Sequence, residues 1–132
     1  MIEMKLEVVA MPVTDIDRAR DFYASQLGFN VDVDTVIAEG TRFVQLTPPG
    51  SGCSIVLGTS MGELTAMSPG TQRGIHLVVN DIEAAREALV AKDVSIGAIE
   101  DVGGGVRYAW FADPDGNTLA LQEMPWRTGA AF

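Results

Sequence analysis

MPVTDIDRAR (Met11–Arg20) returns 66 residues later as LVVNDIEAAR (Leu77–Arg86), with Val13/Val79, Asp15/Asp81, Ile16/Ile82, Ala19/Ala85 and Arg20/Arg86 identical and Asp17 facing Glu83. The same distance separates TPPGS (Thr47–Ser51) from DPDGN (Asp113–Asn117), where Pro and Gly are shared. One offset found twice marks a duplicated unit, and the chain is read as two copies of it.

Each copy opens on an apolar run, Leu6–Val13 or Ile75–Val79, followed by Asp15 or Asp81. An aspartate placed there accepts from the free N–H groups of a helix's first turn, so both are expected to be N-caps. Ile16, Ala19, Phe22, Tyr23 and Leu27 then recur at helical spacing, as Ile82, Ala85, Leu89 and Ala91 do less regularly. Gly28 fits a helix C-terminus. FNVDVDT and VSIGAIE read as the next strands, RFVQL and VRYAWFA as the following ones, and CSIVLG and TLALQE as the last, joined across the Pro/Gly turns. Each half is therefore βαβββ, and the fold class is α+β.

The divisions are module 1 at about residues 5–59, a Gly/Ser/Thr/Met-rich connector at 60–72, module 2 at about 73–124 and a tail at 125–132. A chain of 132 residues forms one domain with a core of its own. Trp126 and Phe132 in the tail and Met61 and Met67 in the connector are available as a lid, a rim or a contact with another copy.

Eighteen acidic residues against nine basic ones give a formal charge of −9, with no Lys/Arg cluster to neutralise phosphates, so nucleic acid is not an expected partner. The same field favours neutral or cationic small molecules. No apolar run reaches membrane-spanning length, and MIEMKLEVVAMPVTD reads as a first strand rather than a signal peptide, which points to the cytoplasm. Cys53, the one cysteine, has no basic neighbour to activate it and is assigned to the core.

The order and spacing of PVTDIDRARDFYASQLGF and FADPDGNTLALQE resemble those of the vicinal oxygen chelate superfamily, which includes glyoxalases, extradiol dioxygenases, fosfomycin-resistance enzymes and bleomycin-resistance proteins. The resemblance implies that the two modules form a curved mixed-sheet cup around a central site. In metal-dependent members four strands each supply one ligand to a divalent cation there. It places those ligands seven residues before each helix-opening Asp and seven after the residue that opens each turn, which here means Val8, Gly74, Ser54 and Ala120. A lone hydroxyl among Val, Gly and Ala is no donor set for such an ion, so neither metal nor other cofactor is expected.

Side chains two positions apart share a face of a strand, which sets His76 beside Gly74 and Gln122 beside Ala120, with Ala10 and Val56 as their counterparts in module 1. The resemblance adds Tyr108 and Trp110 to the ligand face and, by the 66-residue offset, Arg42 and Val44. Of these, His76 is the candidate general acid/base, because imidazole can exchange a proton near neutrality; it is equally a histidine held in a sheet without chemistry. Gln122, Tyr108, Trp110, Ser54 and Arg42 are candidate ligand-binding residues, each with an ordinary packing or surface alternative. Asp113 and Asp115 are read as turn residues rather than as catalytic or calcium-binding carboxylates.

Three functions follow in order of preference. The first is a metal-independent protein, similar to bleomycin-resistance members, that binds a small neutral or cationic organic molecule in the cup. The second is a metal-free lyase or isomerase using His76. The third is a structural or regulatory module whose cup is filled by its own side chains. Exposed sheet edges make a homodimer the expected assembly, with exchange of modules between copies left open.

Overall fold

A computed structural model describes residues 1–132. Module 1 comprises β1 (Val8–Ala10), α1 (Ile16–Asp21), whose last turn widens into a π-helical turn at Phe22–Gln26, β2 (Asn30–Ala38), β3 (Thr41–Thr47) and β4 (Ser54–Gly58). Module 2 comprises β5 (Ile75–Val78), α2 (Ile82–Ala91), β6 (Glu100–Asp101), β7 (Arg107–Ala112) and β8 (Thr118–Glu123). The sheets have the same topology, β1-β4-β3-β2 and β5-β8-β7-β6, each with one parallel pair at the edge where its module begins. Asp15 and Asp81 cap the helices as expected, accepting from Arg18 N and Ala84 N at 3.0 and 3.1 Å. No helix is long and apolar enough to cross a membrane.

One core serves both halves. Val44, Leu46, Ile55 and Leu57 of the first sheet and Ala109, Phe111, Leu119 and Leu121 of the second lie in a single cluster with Ile16, Ala19, Phe22 and Tyr23 of α1 and Ile82 of α2. Each large side chain buried this way contributes roughly 1.5–3 kcal/mol. The faces turned away from the helices form the two walls of the fold, and both stand open: all of β2 and His76 are exposed.

Three expectations need correction. VSIGAIE is not a continuous strand: only Glu100–Asp101 pairs with β7, and Ile96 makes a single bridge to Phe111. Arg86 explains this, because its guanidinium takes the carbonyls of Ile96 and Gly97 at 3.1 and 2.7 Å and draws them toward α2. Cys53 is partly buried and lies just before β4 rather than in the core. Arg42 and Val44 lie on the helix side of β3, not on the wall: Val44 is fully buried in the core, and Arg42 is paired with Asp34 and Asp17.

The last correction has a register cause. His76 pairs with Ala120 and Ala120 with Trp110, whereas Ala10 pairs with Val56 and Val56 with Gln45. The counterpart of Trp110 is therefore Gln45, at an offset of 110 − 45 = 65, and a shift of one residue turns a strand's side chains to the other face. Ion pairs carry the same imprint, since Arg107 meets Glu83 as Arg42 meets Asp17.

The junction between modules is polar and buried. Asp113 Oδ1 accepts from the N–H groups of Asp115 and Asn117, both at 3.0 Å, while Oδ2 accepts from the Tyr23 hydroxyl at 2.8 Å and Asn117 Nδ2 at 2.7 Å. Asn117 also donates to Pro12 O at 2.8 Å and accepts from Gln72 N at 3.0 Å. The turn is thus a clasp that holds the first module and the connector. Gly70 lets the connector pass at φ +77°, where a Cβ would stand 2.2 Å from the Asp115 carbonyl oxygen.

Candidate functional site

The wall of the second sheet gathers four of the residues singled out from the sequence. Ala120 of β8 lies between His76 of β5 and Trp110 of β7, and the next rung sets Gln122 between Val78 and Tyr108. These side chains share the face opposite the core. Ala120 is small enough for the larger groups to converge over it.

The His76 ring meets Tyr108 and Trp110 edge to face, with centroids 5.2 and 5.7 Å away and interplanar angles of 88° and 86°. Tyr108 and Trp110 stand 6.0 Å apart at 69°. Such T-shaped contacts place positive ring edges against negative ring faces, which holds the cluster in shape while leaving aromatic surface open. Trp110 remains 38% exposed, an unusual state for the largest side chain of a sheet face.

Polar groups are also fixed. Nδ1 of His76 lies 2.6 Å from the carbonyl oxygen of Gly74, which can only accept, so Nδ1 carries the proton and, in the neutral ring, Nε2 keeps a free lone pair. Gly74, just before β5, turns its backbone through φ +74° to present that carbonyl. Gln122 Nε2 donates to the Tyr108 hydroxyl at 3.3 Å rather than to His76. The Tyr108 O–H and the amide oxygen of Gln122 stay available to a ligand.

Beside this face, a pocket of about 260 Å³ is walled by Pro48–Ser51 of the β3–β4 turn, His76–Val78, and Arg127 and Phe132 of the tail. An apolar cleft of about 340 Å³ adjoins it on the helix side, sharing Pro48, Pro49, Leu77, Val78 and Phe132. The tail lies outside the duplicated unit, so no internal comparison could have drawn attention to Arg127 or Phe132. Phe43 and Gln45, the counterparts of Tyr108 and Trp110, were masked by the assumption of a constant offset; Arg42-Phe43 matched to Arg107-Tyr108 is the signal that finds them.

Ser54 lies on the first wall, directly across from Val8, but it is buried and its Oγ is 2.6 Å from Thr47 Oγ1. Ala120 lies on the second wall and Gly74 precedes β5. By the register above, Val56 rather than Ser54 is the counterpart of Ala120, so these positions offer at most one hydroxyl, already engaged, and do not fit a divalent ion. Asp81, Glu83 and Glu123 do approach one another, but at the start of α2. Arg107 binds Glu83 and, at 2.6 Å, Glu123, whose other oxygen accepts Ile82 N at 2.9 Å. That cluster is an ion-paired fastening between β7 and α2, and hydrogen bonding to Arg107 holds Glu83 and Glu123 below the usual carboxylate range.

The family model described as "Glyoxalase/Bleomycin resistance protein/Dioxygenase superfamily" matches residues 5–121. Among solved structures, TnmS3, an antibiotic binding protein from Streptomyces sp. CB03234, is 30% identical over 94% of this chain and 98% of its own, with a TM-score of 0.82. A superfamily member from Sphaerobacter thermophilus DSM 20745 is 32% identical over 93% and 99%, with a TM-score of 0.80. A glyoxalase/bleomycin resistance protein from the same Streptomyces strain is 31% identical over 89% and 98%, with a TM-score of 0.76. No curated protein matches.

Proposed function

This chain belongs to the glyoxalase/bleomycin resistance protein/dioxygenase superfamily, and from that premise we propose that it is a metal-independent binding protein for a small organic molecule with a planar, unsaturated body. The open aromatic cluster of His76, Tyr108 and Trp110 carries the reading. Flat rings in fixed edge-to-face order offer a stacking surface, and Tyr108 O–H with the Gln122 amide oxygen supplies orienting hydrogen bonds. Support also comes from TnmS3, which is described as an antibiotic binding protein. The direct test titrates aromatic antibiotics and dyes against the protein and follows tryptophan fluorescence and calorimetric heat. Trp110→Ala is expected to weaken binding about tenfold, the size of one lost stacking contact. Unchanged affinity in that variant sinks the reading. Metal analysis of the purified protein is expected to find no stoichiometric zinc, nickel, manganese or iron.

A second reading, proton transfer by a lyase or isomerase, is favoured by one observation: the Gly74 carbonyl fixes the Nδ1–H tautomer of His76 and leaves Nε2 as a base. His76→Ala separates the two. Turnover abolished with ligand affinity kept supports catalysis, whereas an assay with no turnover in the native protein leaves sequestration.

We further propose a homodimer. Each wall is open in a single chain, and Ile2, Met4 and Leu6, exposed by 78, 81 and 68%, continue the alternation of β1 beyond the sheet. A second copy would cover them and set a facing wall opposite the aromatic cluster.

A further inference from the structure

Among the seven arginines of this chain, six are engaged. Arg20, Arg42 and Arg107 hold carboxylates, Arg18 reaches the Pro114 carbonyl and Asp115, and Arg73 and Arg86 cap backbone carbonyls. Arg127 alone has a guanidinium with no partner, and it lines the 260 Å³ pocket beside His76. No Asp or Glu side chain lines that pocket, although the chain has eighteen of them. In a protein of net charge −9, a guanidinium without a partner in a concave pocket lined by no acidic side chain is the exception to the local pattern.

We propose that Arg127 is the anion-recognising end of the ligand site, so that the ligand pairs an aromatic body with one planar anionic group, a carboxylate or its equivalent. The inference rests on the aromatic-face reading above and narrows it. His76 belongs to both parts: its ring closes the aromatic cluster, and it lines the pocket that Arg127 also lines. Guanidinium meets carboxylate through two parallel N–H···O bonds, which orient a planar acid more strictly than an ammonium does. The overall negative charge opposes polyanions but not a single carboxylate on an arginine, because charges beyond about 8 Å are screened at physiological salt. The expectation of a neutral or cationic ligand, drawn from net charge, is thereby replaced at this end of the site.

The test uses the full chain and a matched pair of probes, 2-naphthoate and 2-naphthamide, with affinities read by NMR titration. Wild type is expected to prefer the acid by about tenfold, a preference that weakens as salt rises. Arg127→Met should abolish that preference and leave naphthamide affinity unchanged, and Arg127→Lys should restore part of it. Equal affinity for both probes in wild type, or a preference that survives Arg127→Met, overturns the anion end and leaves the aromatic face standing. Loss of naphthamide binding in Arg127→Met also overturns it, since Arg127 would then be general wall rather than anion receptor. If neither probe binds wild type, the aromatic-face reading falls with it.

Discussion

Tyr23 shows how a single hydroxyl joins two copies of one unit. Burial, followed by the neighbouring Asp113 carboxylate, pushes its ionisation far above the usual tyrosine range, so the hydroxyl keeps its proton and donates to that carboxylate. Tyr23→Phe removes one of two side-chain donors to Asp113 Oδ2 and is expected to cost about 1–2 kcal/mol in urea unfolding. Asn117→Ala should cost more, about 3 kcal/mol, because it strands Gln72 N–H and Pro12 C=O as well as the carboxylate. If both changes were silent, the junction would not be held by this network. The DPDGN run advertised a turn, and a turn is what formed. Its second task was illegible because Tyr23 stands 90 residues away in sequence and reads as one more apolar position of a helix. His76 and Gln122 were legible because strand parity carries over short distances without any knowledge of packing, whereas Tyr108 and Trp110 came from the superfamily resemblance; the rungs of β5, β8 and β7 set all four on one face. Arg42 was misplaced by a single residue of register.

At the level of elements, the two halves share a fastening and differ in one strand. Arg42 ties β3 to α1 and β2 through Asp17 and Asp34, and Arg107 ties β7 to α2 and β8 through Glu83 and Glu123. Hydrogen bonding to Arg107 lowers the folded-state pKa of Glu123, and hydrogen bonding to Arg42 lowers that of Asp34. Their contribution is therefore complete above the unfolded carboxyl values, about 4 to 4.5, and is lost as pH falls through the lower folded values. Urea midpoints are expected to drop between pH 5 and pH 3, with a shallower drop in Arg107→Met; an identical slope in that variant would refute the role. The second strand differs between halves because Arg86 holds the carbonyls of Ile96 and Gly97. Arg86→Met should release residues 94–101, read as faster amide hydrogen exchange there with protection of β7 and β8 retained. Val94, Ile96 and Ala98 alternate as a strand does, with Ile99 out of phase, and nothing in that spacing announces that a helix arginine will claim the backbone between them.

For the whole molecule, the decisive question is what faces the open walls. Sixteen buried side chains from both modules form the core on the helix side of the sheets, so the remaining apolar and aromatic surface lies outside it. Apolar surface outside the core is considerable: beyond Ile2, Met4 and Leu6, Val36 and Ile37 of β2 and Trp110 of β7 are exposed. A soluble monomer rarely leaves so much uncovered. Light scattering at micromolar concentration is accordingly expected to give a mass near twice the 14.1 kDa of one chain. The double change Met4→Glu, Leu6→Glu should shift it toward a single chain without altering the circular dichroism of the sheets. A monomeric native protein would remove the need for a facing wall. Ligand affinity measured on the same pair of proteins then separates two designs: if the site is shared between copies, binding weakens in the charged variant and recovers as protein concentration rises through the dimer constant. If one wall suffices, affinity is the same in both, and a single chain carries the whole site.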